Sequence, residues 1–541
     1  MNELKNHLKK KERVVALRKQ LLQQGLDGFI IPHADEYQNE YIPACAERLA
    51  WLTGFTGSAG TAVVLQDEAA IFVDGRYIIQ VQNQVDPSIL VPHHLSEWPV
   101  HEWLTSGLKP GMKLGFDPWL HTPNEVEKFQ AACERSEAHL MPCESNPVDA
   151  IWSNRPDSPM NPVVPHSIQY AGQESRQKRE ELARKLKGDR VDAVVLTAPD
   201  SIAWLLNIRG TDVQHTPLPL SRALLYGDSS VKLFLDQQKV TAALVDHLRS
   251  GVSLSSPKEF GPVLDELGKP GLRVLCDTGT SPYWVWDRLR QAGATLVKGE
   301  DPCVLPKACK NEVEIHGAQQ AHIRDGAAVC RFLAWLAKKS PGGQMTELMA
   351  ADYLETSRRK NELFQDLSFP TISAAGSNGA IVHYHSTETT NRRLQPGTLF
   401  LVDSGAQYID GTTDITRTVA IGTPTAEHRD RYTRVLKGHI ALAAARFPKG
   451  TTGSQLDALA RQPLWEMGMD YDHGTGHGVG SYLGVHEGPQ RISKSPNYVA
   501  LQPGMIVSNE PGYYKTGEYG IRLENLVVVT DCPEKGADRS W

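Results

Sequence analysis

Acidic residues interrupt two strongly apolar stretches near the end of this 541-residue chain. In LVDSGAQYIDGTTDITRT, Asp403 ends an apolar strand and Asp414 lies in the next one, with a glycine-containing turn between them. Carboxylates held about 5 Å apart across a hairpin repel each other unless a cation or a shared proton neutralises them. Taken alone, this pair favours two aspartates that cap turns, which is the role we assign to Asp410.

A second hairpin repeats the arrangement. In GMIVSNEPGYYKTGEYGIRLENLVVV, Glu510 ends one apolar strand and Glu524 lies inside the following one. A charge in such a strand requires a partner, because an isolated buried carboxylate is strongly disfavoured. Independent surface acids are not expected to recur in this way, so the repeat predicts a common site.

Histidines lie between and after these acids. The segment HGTGHGVG carries His473 and His477, and its four glycines in eight residues disfavour a regular helix. Glycine-rich backbone lets imidazole rings approach a centre closely. His486 follows in LGVHEGP. A lone histidine is more often a packed core residue, but three histidines beside four strand carboxylates favour a functional site.

The combined donor set predicts a metal centre. Its members are Asp403, Asp414, His477, Glu510 and Glu524. Four carboxylates are too many for one tetrahedral zinc site, whose ligands are mainly thiolates and imidazoles. They suit two divalent ions about 3.5 Å apart that share bridging carboxylates. Hard oxygen ligands favour Mn²⁺, although Co²⁺ or Zn²⁺ could occupy the same ligands.

Two composition breaks divide the chain into three segments. Six prolines lie between Pro142 and Pro165, and a second break, KGEDPCVLP, spans Lys298–Pro306. We therefore predict domains at 1–160, 161–305 and 306–541. The first two read as a divergent α/β repeat, because DGFII, AWLTGFTG and AAIFVD are matched by DAVVL, AWLLNIRG and VKLFLD. The third has helical patterns at 312–338 and 346–359 followed by β-rich runs, which is typical of an α+β domain.

Composition excludes several classes of protein. The 57 basic and 63 acidic residues give a formal charge of −6, which does not favour nucleic-acid binding. The sequence contains no apolar run of about 20 residues that would span a membrane. The basic N-terminus is not followed by the apolar region of a secretory signal. Eight scattered cysteines without a CxxC pair predict reduced, buried thiols in a cytoplasmic protein.

The ordered motifs DSGAQYxDGTTDxTRT, HGTGHGVG, NEPGYY and GIRxEN resemble those of the pita-bread metallopeptidases. FTGSAGTAVV, DGRY and FPTISAAGSNGAIVHYH make the chain most similar to the Xaa-Pro aminopeptidases of the three-domain, cytosolic type. The resemblance covers nearly the whole chain. It implies two related creatinase-N-like α/β domains followed by a C-terminal pita-bread (α+β) catalytic domain.

The resemblance also implies a role for each metal-site residue. Asp403 binds one metal, Asp414 and Glu524 bridge both metals, and His477 and Glu510 bind the other. A hydroxide that bridges the metals attacks the carbonyl before proline, and Glu510 relays a proton to the leaving nitrogen.

Further residues receive substrate roles from the same resemblance. His383 lies near the scissile amide, His486 stabilises the tetrahedral intermediate and His473 lines the pocket. Arg522 orients the carboxylates. Aromatic side chains could form the walls of a proline pocket, with core packing an equal alternative for each: Phe369, Tyr384, Tyr513 and Tyr514.

Other activities share parts of this pattern. An Xaa-Pro dipeptidase (prolidase) has every ligand but needs a cationic clamp for the substrate carboxylate, and the duplicated front half argues against it. A creatinase-like amidinohydrolase uses the fold without metals. A non-catalytic peptide- or histone-binding module of this fold lacks the metal carboxylates. We therefore expect X-Pro peptides as substrates and a homodimer, with no nucleic-acid or membrane partner.

The chain departs from the resemblance at its end. Related chains continue for several tens of residues past the last ligand, whereas 17 residues follow Glu524 here, ending in CPEKGADRSW. We expect the ligand set to be complete despite this difference.

Overall fold

The structure of the protein is a computed structural model that describes residues 2–532, with their side chains from residue 10 onward. Apolar strands form the centre of its first segment. All five residues of the first strand are buried, as expected for a strand covered on both faces. The elements are α1 (Asn2–Gln23), β1 (Gly28–Pro32), α2 (Arg48–Thr53), β2 (Thr61–Leu65), β3 (Ala69–Val73), α3 (Ile78–Gln84), β4 (Val91–His94), α4 (Val100–Gly107), β5 (Lys113–Phe116), α5 (Pro123–Arg135), β6 (His139–Pro142) and α6 (Pro147–Ile151).

The next segment repeats this plan. Its elements are β7 (Val164–Pro165), α7 (Ile168–Ala171), α8 (Ser175–Gly188), β8 (Ala193–Leu196), α9 (Pro199–Leu206), β9 (Ile208–Arg209), β10 (Arg222–Tyr226), β11 (Val231–Phe234), α10 (Ala242–Leu248), β12 (Val252–Ser255), α11 (Phe260–Glu266), β13 (Arg273–Cys276), α12 (Tyr283–Ala292), β14 (Thr295–Lys298) and α13 (Val304–Ala308).

The two main sheets of these segments have the same topology. Their strand orders are β4-β3-β2-β1-β5-β6 and β12-β11-β10-β8-β13-β14. In each sheet the central strand pairs antiparallel with one neighbour and parallel with the other. The strands matched in sequence, β1 with β8 and β3 with β11, hold equivalent places in the two sheets. The predicted divergent α/β repeat is therefore confirmed.

The last segment contains long helices and short antiparallel strands. Its elements are α14 (Glu312–Lys339), α15 (Glu347–Arg358), β15 (Phe364–Leu367), β16 (Ile372–Ala375), β17 (Leu399–Ser404), β18 (Ala406–Tyr408), β19 (Gly411–Thr412), β20 (Ile415–Ala420), α16 (Ala426–Ala443), α17 (Gly453–Trp465), β21 (Gly476–Gly478), β22 (Glu487–Ile492), β23 (Ile506–Asn509), β24 (Gly512–Lys515), β25 (Tyr519–Arg522) and β26 (Asn525–Val528). The predicted α+β texture is confirmed.

Compactness divides the chain into two units. The first comprises residues up to Pro165, 175–214 and 218–301, and contains both six-stranded sheets. The second, which we call the catalytic unit, comprises 166–174, 215–217 and the chain from Pro302 onward. All eight cysteines are free, as predicted, but the prediction that they are buried is wrong for Cys330, which is exposed, and for Cys143, Cys309 and Cys532, which are partly exposed. Among the described residues, every helix is too short or too polar to cross a membrane.

Polar caps fix where the helices of the catalytic unit begin. The side chain of Asn311 accepts from backbone N–H groups of the first turn of α14, and Glu314 binds back to the Asn311 backbone. Thr425 begins α16 with a side-chain cap, and Thr346 does the same for α15. These caps satisfy N–H groups that have no partner inside the helix, so they set the register in which each helix meets the strands.

The two acidic hairpins are more elaborate than the sequence predicts. In the first, β17 pairs antiparallel with β20, and the small hairpin β18–β19 lies between them along the chain. In the second, β23 pairs antiparallel with β26 around the hairpin β24–β25. Each is therefore an outer strand pair that encloses an inner hairpin.

This arrangement corrects the predicted positions of two acids. Asp414 lies in the break between β19 and β20 rather than within a strand, and Glu524 lies in the break between β25 and β26. The apparent single strand IRLENLVVV is two strands, because β25 pairs with β24 whereas β26 pairs with β23. The chain changes sheets at Glu524, and this break releases its side chain from the strand alternation.

Candidate metal centre and active site

Strand pairing brings the acids of the two hairpins together through Thr416. Asp403 of β17 lies opposite Thr416 of β20. The Thr416 hydroxyl donates to Glu524 Oε2 at 2.7 Å, and the Glu524 N–H donates to the Thr416 carbonyl at 3.2 Å. Asp414 precedes β20 by one residue. One threonine thus ties the first acid pair to the last acid of the second pair.

Strand β21 adds His477 to this cluster, and the second hairpin adds Glu510, which directly follows β23. His477 Nε2 lies 3.3 Å from Glu510 Oε1 and 3.6 Å from Asp414 Oδ2. Ligand atoms of Asp414, His477 and Glu524 all lie within 4.8 Å of one another. The structure therefore brings His477 and the acids of both hairpins to one place, although they come from distant parts of the chain.

Backbone contacts fix the orientation of His477 and Glu510. His477 Nδ1 lies 2.9 Å from the Gly478 carbonyl, so Nδ1 carries the proton and Nε2 is the nitrogen free to bind a cation. Glu510 Oε1 accepts from the Ser508 hydroxyl at 3.0 Å, and the Glu510 N–H donates to the Thr475 carbonyl.

Two glycines allow the strands around His477 to approach. A Cβ atom on Gly476 would lie 2.0 Å from the Ser508 carbonyl oxygen, and one on Gly478 would lie 2.4 Å from the Glu487 carbonyl oxygen. Both positions therefore require glycine. The sequence prediction assigned the glycines of HGTGHGVG to the approach of imidazole rings to a centre, whereas these two glycines make room for neighbouring backbone.

The cluster carries an excess of buried negative charge. Burial, together with Glu524, Asp403 and Glu510, raises the pKa of Asp414 well above its usual value. Burial and the same neighbouring anions raise the pKa of Glu524. Burial opposes ionisation of Glu510, but the adjacent His477 imidazole outweighs it and holds the pKa of Glu510 low. Carboxylates in this state are those that a bound cation stabilises.

The donors present fit divalent cations. Four carboxylates and one imidazole supply hard oxygen ligands with one nitrogen. Among the described residues, no hydrogen-bond partner reaches Asp403 Oδ1, although this oxygen is buried. An unsatisfied buried carboxylate oxygen costs free energy, and it is a ready ligand atom for a cation at the cluster.

A chain of hydrogen bonds leads from the cluster to His473. Arg522 Nη2 donates to Asp403 Oδ2 at 2.7 Å, and Arg522 Nη1 donates to the Tyr514 hydroxyl oxygen at 2.6 Å. The Tyr514 hydroxyl lies 2.8 Å from His473 Nε2, while His473 Nδ1 lies 2.8 Å from the Gly474 carbonyl. Nδ1 therefore carries the proton and Nε2 accepts from Tyr514.

The surroundings keep His473 neutral. Burial lowers the pKa of His473 to about 4, and burial raises the pKa of Tyr514 to about 12. Arg522 stays charged between Tyr514 and Asp403, because they and Glu510 outweigh its burial and raise its pKa. This series of hydrogen bonds therefore runs from the charged guanidinium of Arg522 to the neutral imidazole of His473.

Models of known families match three successive parts of the chain. Metallopeptidase family M24 matches residues 316–531, and the Creatinase/Prolidase N-terminal domain matches residues 13–151 and again 154–314. Aminopeptidase P2 of Arabidopsis thaliana is 40% identical over 94% of this chain and 76% of its own length. A probable Xaa-Pro aminopeptidase P of Coprinopsis cinerea is 39% identical over 98% of this chain and 88% of its own length. The chain belongs to the aminopeptidase P branch of metallopeptidase family M24.

Solved structures agree with this M24 aminopeptidase P assignment. The X-prolyl aminopeptidase of Caenorhabditis elegans, described as a cytosolic enzyme with a di-nuclear active site, is 34% identical, with a TM-score of 0.94 over 99% of this chain and 90% of its own. The Xaa-Pro dipeptidase of Bacillus anthracis, at 24% identity, shares the fold over 66% of this chain with a TM-score of 0.55. The predicted fold of two creatinase-N-like domains and a pita-bread domain is confirmed.

Of the remaining histidines proposed from the aminopeptidase P resemblance, His486 contacts a member of the cluster, and His383 follows a residue that Arg522 binds. The His486 ring is 4.4 Å from the His477 ring, in an edge-to-face arrangement. His383 follows Val382, whose carbonyl accepts from Arg522 Nη2 at 3.3 Å. Arg522 itself contacts Asp403, so its predicted orienting role has a direct contact to act through.

Tyr513 lies on the face of β24 opposite to that of Tyr514, and its substrate-binding role stays a prediction. It lies opposite Ile521 on one face of β24, and Arg431 lies 5.8 Å from its ring. Tyr514 faces the other way and contacts Arg522 and His473. Strand alternation explains the difference, because Tyr514 shares a face with Arg522 across the β24–β25 pair. That parity was available from the sequence of this aminopeptidase P hairpin.

Sequence reasoning missed three sets of buried charged residues around these aminopeptidase P histidines. Glu347 binds the segment that carries His383, and Arg461 with Asp457 binds the loop that carries His473. Lys307 and Lys310 both pair with Glu487, which follows His486. In the sequence these charged residues carry no sign that they are buried. Their burial becomes visible only in the folded structure.

Proposed function

We propose that this chain is an Xaa-Pro aminopeptidase, a metal-dependent exopeptidase that hydrolyses the bond before proline when proline is the second residue of a peptide. The convergence of four carboxylates and His477 at one place carries this proposal. Relatives named aminopeptidase P, about 40% identical over nearly the whole chain, support the substrate class.

We assign the metal-site roles as follows. Asp403 would hold one divalent cation, Asp414 and Glu524 would contribute to both, and His477 Nε2 with Glu510 would hold the other. The di-nuclear site described for the nematode enzyme supports a pair of ions. The oxygen-rich donor set favours Mn²⁺.

The side chains then divide the work of peptide hydrolysis. When bound, the two cations supply a water-derived nucleophile at neutral pH and polarise the scissile carbonyl. Glu510 accepts the proton released from water and passes it to the proline nitrogen, which leaves as a secondary amine. His486 and His383 stabilise negative charge on the carbonyl oxygen. His473 stays neutral and lines the pocket.

Selection for proline after the scissile bond follows from shape. The nitrogen of an X-Pro bond carries no hydrogen, so the wall beside it needs no acceptor. Phe369, buried to 8% exposure, is a candidate for that apolar wall.

The deciding experiment combines metal analysis with peptide cleavage. We expect two Mn²⁺ ions per chain and release of arginine from Arg-Pro-Pro, with little cleavage of Gly-Pro or of Arg-Ala-Ala. Cleavage of Gly-Pro alone would instead identify a dipeptidase. Absence of turnover with Mn²⁺, Co²⁺ and Zn²⁺ would leave a peptide-binding module.

We also propose a cytoplasmic homodimer. The nematode relative's description as cytosolic and the eight free cysteines support the location. Trp465 and Met467, at 46% and 52% exposure, leave apolar surface at the end of α17 and support self-association. Sedimentation should show a dimer that Trp465→Glu converts to a monomer with the same helix content.

The boundaries 1–160, 161–305 and 306–541 remain our proposal for the domains. The proline-rich connection after Pro142 and the family matches at 13–151, 154–314 and 316–531 support it. Limited proteolysis should cut first near residues 155–162 and 299–302. Early cleavage inside a six-stranded sheet would contradict it.

A further inference from the structure

Arg461 on α17 is buried completely, with 0% of its side chain exposed. It is one of the buried charged residues around the histidines, and it has no part in the proposed metal site or in the proposed steps of hydrolysis. Its guanidinium lies beneath residues 470–475, which we call the His473 loop. An arginine can donate five hydrogen bonds in a fixed planar arrangement, so it can hold several points of one loop at once.

Arg461 contacts the His473 loop at both ends and in the middle. Nη1 donates to Asp470 Oδ1 at 2.8 Å and to the Tyr471 carbonyl at 2.6 Å. Nη2 donates to the His473 carbonyl at 2.8 Å and reaches Thr475 Oγ1 at 3.5 Å. The guanidinium carbon lies 3.8 Å from the centre of the Tyr471 ring.

Asp457, one helical turn before Arg461, completes this grip. Arg461 Nε donates to Asp457 Oδ2 at 2.6 Å. The Thr475 hydroxyl donates to Asp457 Oδ1 at 2.5 Å, so the Tyr471 hydroxyl, 2.5 Å away, donates to Thr475. The ion pair is neutral overall and is bound to the loop through both of its members.

The loop in turn fixes His473. With the His473 and Tyr471 carbonyls held, the imidazole lies where Nδ1 binds the Gly474 carbonyl and Nε2 meets Tyr514. Removing two charges from water is costly, and apolar side chains would pack as stably. Because the Arg461–Asp457 pair donates its hydrogen bonds to carbonyls of the His473 loop, we infer that it serves to fix the conformation of that loop.

We propose that Arg461, supported by Asp457, is a positioning residue that holds His473 in its catalytic orientation without contributing to metal binding. This inference rests on the proposed aminopeptidase function. It predicts that removing the guanidinium lowers kcat, because His473 loses its fixed place, while both metals stay bound.

The test is a double-mutant cycle on the Mn²⁺-loaded full chain. Arg461→Met keeps the length of the side chain and removes its donors. We expect kcat for Arg-Pro-Pro to fall about 10- to 100-fold, the size of effect seen when an orienting partner is removed, with KM within about twofold. In a His473→Ala background the same substitution should change kcat by less than about twofold.

Arg358→Met is the matched control. Arg358 is also fully buried, and it pairs with Asp325 and donates to the carbonyls of Ser404 and Gly405, all of them outside the His473 loop. Its effect on kcat should be the same with and without His473→Ala. If Arg461→Met is equally additive, Arg461 acts on general stability and the proposal is wrong.

Two measurements make the result independent of turnover. Metal analysis should give the wild-type content for Arg461→Met, and loss of metal would overturn the proposal. A crystal structure should show His473 Nε2 beyond hydrogen-bond distance, about 3.5 Å, from Tyr514. An unmoved His473 would also overturn it. If the wild type fails to cleave Arg-Pro-Pro, the proposed function fails, while the crystal structure still tests the positioning.

Arg461→Lys keeps the proposal testable if Arg461→Met does not fold. Lysine keeps the charge beside Asp457 but lacks the planar fork that spans two carbonyls. We expect an intermediate loss of kcat that again disappears in the His473→Ala background. Wild-type kcat for Arg461→Lys would contradict a role for the fork.

Discussion

The two halves of the catalytic unit share a frame but hold their histidine segments by opposite charges. In the first half, Glu347 at the start of α15 is buried to 0% exposure and accepts from the N–H groups of Ala375 and Arg392. It also accepts from the Tyr384 hydroxyl at 2.9 Å, next to His383. In the second half, the cation Arg461 donates to the carbonyls of the His473 loop.

This difference shows that the placement of the acids is the same in both halves, whereas the way in which the histidine segments are held is not. Outer strand pairs around inner hairpins place the acids in both halves, and equivalent breaks release Asp414 and Glu524. The histidine segments have no such common frame. A carboxylate can hold a segment by its N–H groups and a guanidinium by its carbonyls, so either solution suffices where a loop must be fixed.

The largest effect is expected where the halves meet, at Asp414. Asp414→Asn removes a ligand that we assign to both cations, so turnover should fall by about 10³-fold or more and metal content below two per chain. Without metal, the variant should be more stable than the wild type near pH 7, because burial and neighbouring acids raise the pKa of Asp414. Metal analysis and thermal unfolding in EDTA measure both effects.

Asp410→Asn is the control for that variant. Asp410 lies in the turn between β18 and β19 and pairs with Arg324, away from the other acids. It should keep full metal content and near wild-type kcat. If Asp414→Asn keeps both as well, the shared-ligand role of Asp414 is excluded.

A smaller loss of kcat is expected when the hydrogen bonds that Glu347 accepts in the first half are weakened. Glu347→Gln replaces one accepting oxygen by an N–H₂ group that faces other donors, so Ala375, Arg392 and Tyr384 compete for one acceptor. We expect kcat to fall about 10-fold or more with metal content unchanged. The effect should vanish in a His383→Ala background.

The same Glu347→Gln substitution should be additive with His473→Ala. Arg461→Met should show the reverse pattern, coupling to His473 and adding to His383→Ala. If double-mutant cycles showed Glu347 coupled equally to His383 and His473, the contacts of Glu347 and those of Arg461 would belong to one network.

A further prediction concerns the link between the halves. Tyr514→Phe removes the hydroxyl that joins Arg522, and through it Asp403, to His473. We expect a loss of kcat of about 10-fold with both metals retained, because neither Asp403 nor His477 loses a contact. Tyr513→Phe, on the other face of β24, should leave kcat and KM unchanged.

Most of the fold and the ligand order could be read from the sequence for physical reasons. Buried strands such as GFIIP and LFLVDS are continuous apolar runs, and the helix at Glu312–Lys339 carries its own cap at Asn311. An acid inside an apolar run is costly enough to mark its position. The sequence did not show that IRLENLVVV breaks at Glu524, because both parts are apolar and pair in different sheets.

The buried charged supports could not be predicted in the same way. Arg461 lies in GSQLDALARQPLW, where an aspartate and an arginine four residues apart are typical of an exposed helix pair. Glu347 begins a helix, where an acid is favoured by the helix dipole whatever its burial. Their roles depend on which loop packs over the helix, and that is decided by contacts between residues distant in sequence.

The smallest predicted effect is a pH response of opposite sign in the two halves. Burial raises the pKa of Glu347, so its contribution to stability is greatest below its usual pKa of 4.5 and is lost as pH rises through the raised value. Burial lowers the pKa of His473 from 6.5 to about 4, so stability is lost as pH falls through this range, by at most about 3 kcal/mol.

Urea unfolding between pH 4 and 8 separates the two contributions. Relative to wild type, His473→Asn should gain stability below pH 6.5, and Glu347→Gln should lose less stability at high pH than at low pH. Parallel stability curves for His473→Asn and wild type would mean that His473 titrates normally. It would then lie in a wetter site than the hydrogen bonds to Gly474 and Tyr514 imply, and the contrast between the halves would be confined to the charges of Glu347 and Arg461, which hold the histidine segments.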